Sequence, residues 1–594
     1  MKIKIQRFDI VLIFLLVFSF ILLSRLFYLQ VIKGNYYEKL SKNNYIRIIT
    51  INPPRGRIFD RNGILLAYDV PYYQLYTLPY LIDKKELPKL KKAFKKYLNI
   101  DITSKLEEKI IKGYANKVII KSKLTDKDIK NFYDHFYEFN GIFIETIPRR
   151  NYTEYAKYMP HILGYVGYPS KKELEENPDI NADVLIGKSG VEKIYDNYLR
   201  GEYGNKAVIV DAKGRIKKIL WEKPPKTGKD IYLTIDARLQ KLAYESFKES
   251  GQKSGSIVLV NPKTYEILTM LNYPIFDIQK FSDGLTKKEW NKLLKNEYKP
   301  LFNKTLNGLY PPGSIYKIVV STAALNEGVV SPTERIFSGG YFKIGKWKYR
   351  NWNLAGCGNI NITQALEQSC DTYYYQIGLK LGVNKIVEYT YMFGIGKKLN
   401  PEIETKVSRV PTPDWKLRKL GESWFLGDTV NLSIGQGFLA ITPFDASKIL
   451  IPVLNNGNVL KPLLLKAYVD KGKIYENEPV VLNKLPIKKD IFSYIKKGLY
   501  LVIYGKRGTA KILQDLPVEV AGKTGTAQVY RKPKKNEKID KWELQNHAWF
   551  ISFFPYKNPQ FSSVVFIEHG EKSSNAVKIT KNLIEKMIEN GFIK

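Results

Sequence analysis

One stretch fixes the first decision about this chain. Residues 10–32 read IVLIFLLVFSFILLSRLFYLQVI, and Arg25 is their only charge. About 20 apolar residues cross the hydrocarbon core of a bilayer as a helix, so this run is long enough to span. A cleaved signal peptide is the competing reading. It is disfavoured because the run is long and no small-residue cleavage site follows it. The expectation is an uncleaved anchor. Lys2, Lys4 and Arg7 precede it, which places the tail 1–9 in the cytoplasm by the positive-inside rule. No second span is legible. Everything after residue 32 is therefore expected outside the inner membrane.

The chain of 594 residues is too long for one ordinary domain. With 44% hydrophobic and 26% charged residues it is globular in type. The net charge is +37, spread along the whole chain. No helix-turn-helix, zinc-finger or RNA-reading pattern accompanies it, so nucleic acid is not an expected partner. A diffuse basic surplus suits anionic lipid or cell-wall polymer instead.

Residues 33–230 are mixed in pattern, with helical stretches at 84–98 and 125–139 around a strand at 117–122. KPPKTGK at 223–229 reads as a linker. From 231 the pattern becomes a strand, then a helix capped by Thr234 or Asp236. A β-hairpin at 255–272 turns at Asn261–Thr264. Helices follow at 313–327 and about 361–380, then strands at 518–530, 547–556 and 561–570, and a last helix at about 574–590. Strands at both ends with helices between them predict an α+β fold, one antiparallel sheet backed by a helical bundle. The Lys-rich segment 530–546 reads as a long loop.

The chemistry centres on LYPPGSIYKIVV, residues 309–320. Ser314 and Lys317 stand three apart and share one face of a helix. A serine hydroxyl needs a base, and a lysine serves if burial or a second cation lowers its pKa. Ile315, Ile318 and Val319 offer burial, and Lys523 offers the cation. Such spacing is common by chance. It gains weight from SCD at 369–371 and KTGT at 523–526, which follow in order.

Together the three motifs resemble the signature of penicillin-binding proteins and serine β-lactamases. Asp371 stands where the common pattern has Asn. The resemblance implies that Ser314 attacks a carbonyl, that Lys317 accepts its proton, and that Ser369 relays it. Asp371 accepts from Lys317. Lys523, Thr524 and Thr526 would hold a terminal carboxylate, and Gly525 would let a peptide backbone lie along the strand edge. The backbone N–H groups of Ser314 and Thr526 would form the oxyanion hole.

RGRIFDRNGILLA (55–67), HILGYVG (161–167) and GKSGVEKIYDNYLRG (187–201) resemble the pedestal of class B penicillin-binding proteins. The stretches 350–376 and 424–443 are most similar to the elongation-specific branch, penicillin-binding protein 2, where Ser-x-Asp is frequent. The implied organisation is a tail at 1–9, an anchor at 10–32, a pedestal (dimerisation or partner) domain at 33–230 and a transpeptidase domain at 231–594. The implied activity is a peptidoglycan D,D-transpeptidase that acts on stem peptides of lipid-linked nascent glycan and is acylated by β-lactams. The implied partners are a SEDS-type rod-shape glycosyltransferase and a periplasmic elongation scaffold. The pedestal motifs themselves read as structural, with Gly56 and Gly63 in turns and Arg55, Arg57, Asp60 and Arg61 in an ion-pair network. IGQG at 434–437 reads as a wall of the site.

Rivals are weaker. A β-lactam receptor would carry several spans and an HExxH motif, a class A β-lactamase a Glu-x-x-Leu-Asn sequence, and a bifunctional enzyme glycosyltransferase motifs. A non-catalytic scaffold would be expected to lose Ser314 or Lys317. A division-specific class B paralogue is the nearest alternative. Cys357 and Cys370, the only cysteines, suit a disulfide, two buried thiols or, last, a zinc site. His135, His161, His547 and His569 are scattered without ligand spacing. No metal or organic cofactor is expected.

Overall fold

The computed structural model describes residues 7–37, 46–114, 117–182, 184–210, 216–529 and 542–593. Most of the 1–9 tail and of the predicted 530–546 loop lies outside them. The apolar run forms a helix, Arg7–Phe27, continued by a π-helical turn, Tyr28–Ile32. Its side chains are exposed all round, as at Phe14 and Leu23. A helix apolar on every face needs an apolar surround. Among the described residues it is the only helix long and apolar enough to span.

The chain divides into two compact units that are not consecutive in sequence. The first takes residues 1–55, 69–149 and 200–228, and the second takes 56–68, 150–199 and 229–594. In the first unit Leu75, Phe94, Leu98, Phe132, Phe139 and Ile142 share a small core. The helices predicted at 84–98 and 125–139 supply most of it, and the strand Val118–Lys121 lies where the pattern put it.

The second unit holds a five-stranded antiparallel sheet. Its strands are β1 (Gly255–Val260), β2 (Ile267–Tyr273), β3 (Ala521–Ala527), β4 (His547–Phe554) and β5 (Phe561–Ile567), in the order β2-β1-β5-β4-β3. The sheet is covered on both faces, so β1 and β5 are buried at every position. Ile257 and Leu259 join the core formed with α1 (Ala237–Glu249), and Val258 and Val260 join the larger core on the opposite face. That alternation is the period-2 geometry of a strand. Ile315, Ile318, Val319, Tyr373 and Trp549 belong to the larger core. It includes side chains of α2 (Lys317–Asn326), α3 (Ile362–Gln368), α4 (Asp371–Met392) and α5 (Lys489–Tyr504). The last helix, α6 (Ser573–Glu589), supplies Val577, Leu583 and Ile584 to the α1 side. The expected antiparallel sheet with a helical bundle is what forms.

Local details differ from the pattern for identifiable reasons. Asp236 caps α1 by accepting from the N–H groups of Arg238 and Leu239, whereas the Thr234 hydroxyl donates to the carbonyls of Ile267 and Leu463. The hairpin loop runs to Glu266, two residues beyond the expected turn; Tyr265 there adopts φ +57°, and its buried hydroxyl lies 2.8 Å from Ser447 Oγ. Among the pedestal motifs, Arg57 pairs with Asp230 at 2.6 Å and Arg61 with Glu266 at 3.3 Å. Asp60 is not part of such a pair. Its carboxylate accepts from the backbone N–H groups of Asn62, Ile64 and Ala237 and so fixes a turn. Gly63 takes φ +83° in that turn.

Candidate active site

Ser314 lies on a 3-10 turn, Gly313–Tyr316, that runs directly into α2. The sequence pattern treats 313–327 as one helix. The first four residues instead form a 3-10 turn with three residues per turn, and Lys317 follows as the first residue of α2, its ammonium turned to Ser369 and Asp371. The turn is wedged between two backbones. Gly313 adopts φ +57°, and a Cβ there would lie 2.7 Å from the Thr526 carbonyl oxygen. A Cβ on Gly435 would lie 2.3 Å from the Gly313 carbonyl oxygen. The Gly313 N–H donates to the Gly435 carbonyl at 2.9 Å. The expected wall at 434–437 is thus a brace behind the serine turn. Trp549 on β4 donates its indole N–H to the Pro311 carbonyl at 3.0 Å from the other side.

Lys317 is fully buried. Its ammonium donates to Asp371 Oδ1 at 2.6 Å, to the Ser369 carbonyl at 2.8 Å and to Ser369 Oγ at 3.4 Å. Three partners match the three N–H donors of an ammonium. The geometry depends on Ser369. The predicted helix at 361–380 is interrupted there, because Ser369 ends α3 in the left-handed region at φ +54°, ψ +41°. That conformation is uncommon for any residue but glycine. It points both the carbonyl and the hydroxyl of Ser369 at Lys317. After Cys370 the chain re-enters a helix, and Asp371 is the first residue of α4, where the helix dipole favours a carboxylate.

Lys523, on β3, is also fully buried and donates to the Thr524 carbonyl at 3.1 Å. Thr524 Oγ1 lies 2.7 Å from Thr509 Oγ1. Thr526 is half-buried, and its carbonyl accepts from Gln436 at 3.3 Å. β3 is the edge strand of the sheet, so one side of its backbone is not paired by a neighbouring strand. Gly525 also serves the packing of the site. A Cβ there would meet Ile315 Cγ2 and the Pro312 carbonyl oxygen at 3.0 Å, and Trp549 Cβ at 3.2 Å. Its missing side chain lets β3 press against the serine turn.

Burial pushes the Lys317 ammonium below the ordinary lysine pKa, and the Asp371 carboxylate opposes that shift. Lys523 is driven well below its ordinary value, first by burial and then by the charge on Lys317, with Asp371 opposing. The two buried ammonium groups repel each other, so each disfavours the charge on the other. Two buried lysines lie within the field of one carboxylate, Asp371, which disfavours charging both.

Cys357 and Cys370 are joined by a disulfide. Several neighbours of the motifs were not singled out from the sequence. Asn351 Oδ1 accepts the Asp371 N–H at 2.8 Å, and the Trp352 N–H donates to Asp371 Oδ2 at 3.0 Å. Both stand in the RNWN stretch, whose role no spacing rule reveals. Thr509 carried no signal. Among the described residues no group of His, Cys, Asp and Glu side chains is arranged to hold a metal.

Residues 255–589 match the family described as the penicillin binding protein transpeptidase domain. The chain belongs to the penicillin-binding protein family. Residues 50–233 match the penicillin-binding protein dimerisation domain. A relative in Haemophilus influenzae, Peptidoglycan D,D-transpeptidase MrdA, is 32% identical over 96% of this chain and 90% of its own length. The structure of a complex between penicillin-binding protein 2 and MreC from Helicobacter pylori aligns with a TM-score of 0.80 at 27% identity, covering 92% of this chain and 100% of that one. A further solved structure is described as structural coordination of polymerization and crosslinking by a peptidoglycan synthase complex. It aligns with a TM-score of 0.71 at 26% identity over 97% of both chains. Within the family the chain is a class B member of the penicillin-binding protein 2 type.

Proposed function

We propose that this chain is the peptidoglycan D,D-transpeptidase of cell elongation, with Ser314 as its nucleophile. The observation that carries the assignment is the buried contact of Lys317 with Ser369 and Asp371 beneath the Ser314 turn. Neutral Lys317 takes the Ser314 Oγ proton as that oxygen attacks the penultimate D-Ala carbonyl of a stem peptide. The developing oxyanion is met by the backbone N–H groups of Ser314 and Thr526. The intermediate collapses, and the terminal D-Ala amine departs with the proton passed from Lys317 through Ser369. An amine of a neighbouring stem then attacks the ester, gives its proton back along the same path, and releases Ser314. Lys523 and Thr526 hold the terminal carboxylate. Thr524 acts through its hydroxyl pair with Thr509. A bound carboxylate restores the charge that burial discourages on Lys523.

β-Lactams imitate the acyl-D-Ala-D-Ala terminus and acylate the same oxygen. The apolar helix anchors the chain in the inner membrane, with the basic tail inside and the residues after 32 outside. The relatives solved with MreC and in a peptidoglycan synthase complex support two partners here, a periplasmic elongation scaffold and a SEDS-type glycosyltransferase that supplies nascent glycan. Intact mass after incubation with benzylpenicillin tests the core of the reading. The wild type should gain one penicilloyl group and Ser314→Ala none. A folded wild type that gains nothing, or a Ser314→Ala protein that is labelled equally, overturns it.

A further inference from the structure

The disulfide sits inside the catalytic motif. Cys370 stands between Ser369 and Asp371, and its partner Cys357 closes a loop that begins at Arg350. Trp352, Asn353, Leu354 and Ala355 in that loop are exposed. Asn351 at 2% exposure, Cys357 at 4% and the Gly356 before it are buried. The buried ends hold Asp371. Asn351 Oδ1 accepts the Asp371 N–H, Asn351 Nδ2 donates to Cys357 Sγ at 3.3 Å, and the Trp352 N–H donates to Asp371 Oδ2. The Trp352 indole N–H donates to the Gln368 carbonyl at 3.0 Å, one residue before Ser369. Asp371 Oδ1 is then left for Lys317.

We infer that the Cys357–Cys370 bridge, acting through Asn351 and the Trp352 N–H, is a positioning device for Asp371 and makes the acylation chemistry sensitive to reduction. The inference rests on the function proposed above. With the bridge closed, the loop cannot swing away from α4, and the second carboxylate oxygen stays engaged by Trp352. Reduction adds two electrons and two protons to the bridge and yields two thiols, while dithiothreitol closes to its cyclic disulfide. The exposed loop then gains freedom, and the carboxylate loses the N–H that orients it. The bridge lies next to two motif residues, whereas a generic staple would sit anywhere that closes a long loop.

The full-length protein in detergent provides the test. Benzylpenicillin acylation is timed across pH before and after dithiothreitol, with alkylation and mass confirming two new thiols. The bridge-closed protein sets the reference rate. Reduction should slow acylation at its pH optimum about tenfold, the effect of one lost hydrogen bond to a charged group. It should also move the acidic limb to lower pH, because Lys317 without a fixed carboxylate gives up its proton more readily. Reoxidation with glutathione disulfide should restore both. Asn351→Ala, which keeps the bridge, should shift the limb in the same direction. An unchanged limb in a folded, fully reduced protein overturns the inference, and so does loss of the cooperative thermal transition on reduction, which would make the bridge a general staple. Absence of acylation in the oxidised wild type refutes the proposed function itself, and this inference with it.

Discussion

Asp371→Ala isolates the contact on which the site depends. The carboxylate lies 2.6 Å from a lysine ammonium with no solvent exposure. Removing it leaves that ammonium with the Ser369 carbonyl and hydroxyl alone. A hydrogen bond to a charged group contributes about 1.5–3 kcal/mol. Lysine becomes charged as it takes the serine proton, so this loss falls on the transition state. It converts to a slowing of acylation of about ten- to a hundredfold. The fold feels the change in a pH-dependent way. Burial already lowers the Lys317 pKa from 10.5. Between that lowered value and 10.5 the unfolded chain binds the extra proton, so stability rises with pH in that window. Without Asp371 the window opens further toward acid. The variant should therefore be destabilised most at neutral pH, by up to about 3 kcal/mol. The deficit should disappear at pH values above the wild-type Lys317 pKa. Stopped-flow acylation and thermal melts at several pH values read the two effects separately. An acylation rate within twofold of wild type, or a stability deficit that grows with pH, would refute the reasoning.

Other outcomes follow from the same contacts. Gly313→Ala must place a methyl 2.7 Å from the Thr526 carbonyl at a positive φ, and should cost about 1–3 kcal/mol while slowing acylation more than any surface substitution, as melting and fluorescent-penicillin labelling would show. Arg150 and Glu192 form an ion pair at 2.6 Å with neither side chain exposed. Arg150→Met removes the charge that balances the Glu192 carboxylate and should cost about 3–5 kcal/mol in chemical denaturation, and a loss below 1 kcal/mol would show that the site admits water.

Much of this was legible in advance, and the gaps have physical causes. Alternation in 255–272 and the strand-like apolar runs at 547–556 and 561–570 specified strands, and the runs are continuous because both faces of the sheet are covered. The order of Ser314, Lys317, Ser369, Asp371 and Lys523 along the chain pointed to one site, since the motif set implies their convergence. What the pattern missed depends on backbone rather than side-chain chemistry. Nothing in ALEQSCD announces that Ser369 turns left-handed, because no glycine or proline marks the break. Gly525 carries no chemistry of its own, so only the packed turn revealed what its missing side chain serves. The allocation of residues 56–68 and 150–199 to the same compact unit as the catalytic motifs was equally invisible, being a matter of distant contacts.

Ser369 also says something about the pressures on this chain. A glycine would occupy φ +54° without the Cβ conflict, which amounts to about 1 kcal/mol. Ser369→Gly should therefore make a protein at least as hard to melt as the wild type, yet one that cross-links poorly, because the hydroxyl offered to Lys317 is gone. At this position, durability and livelihood pull in opposite directions. A search for sturdier variants that screened by heat alone would tend to erase the hydroxyl that faces Lys317.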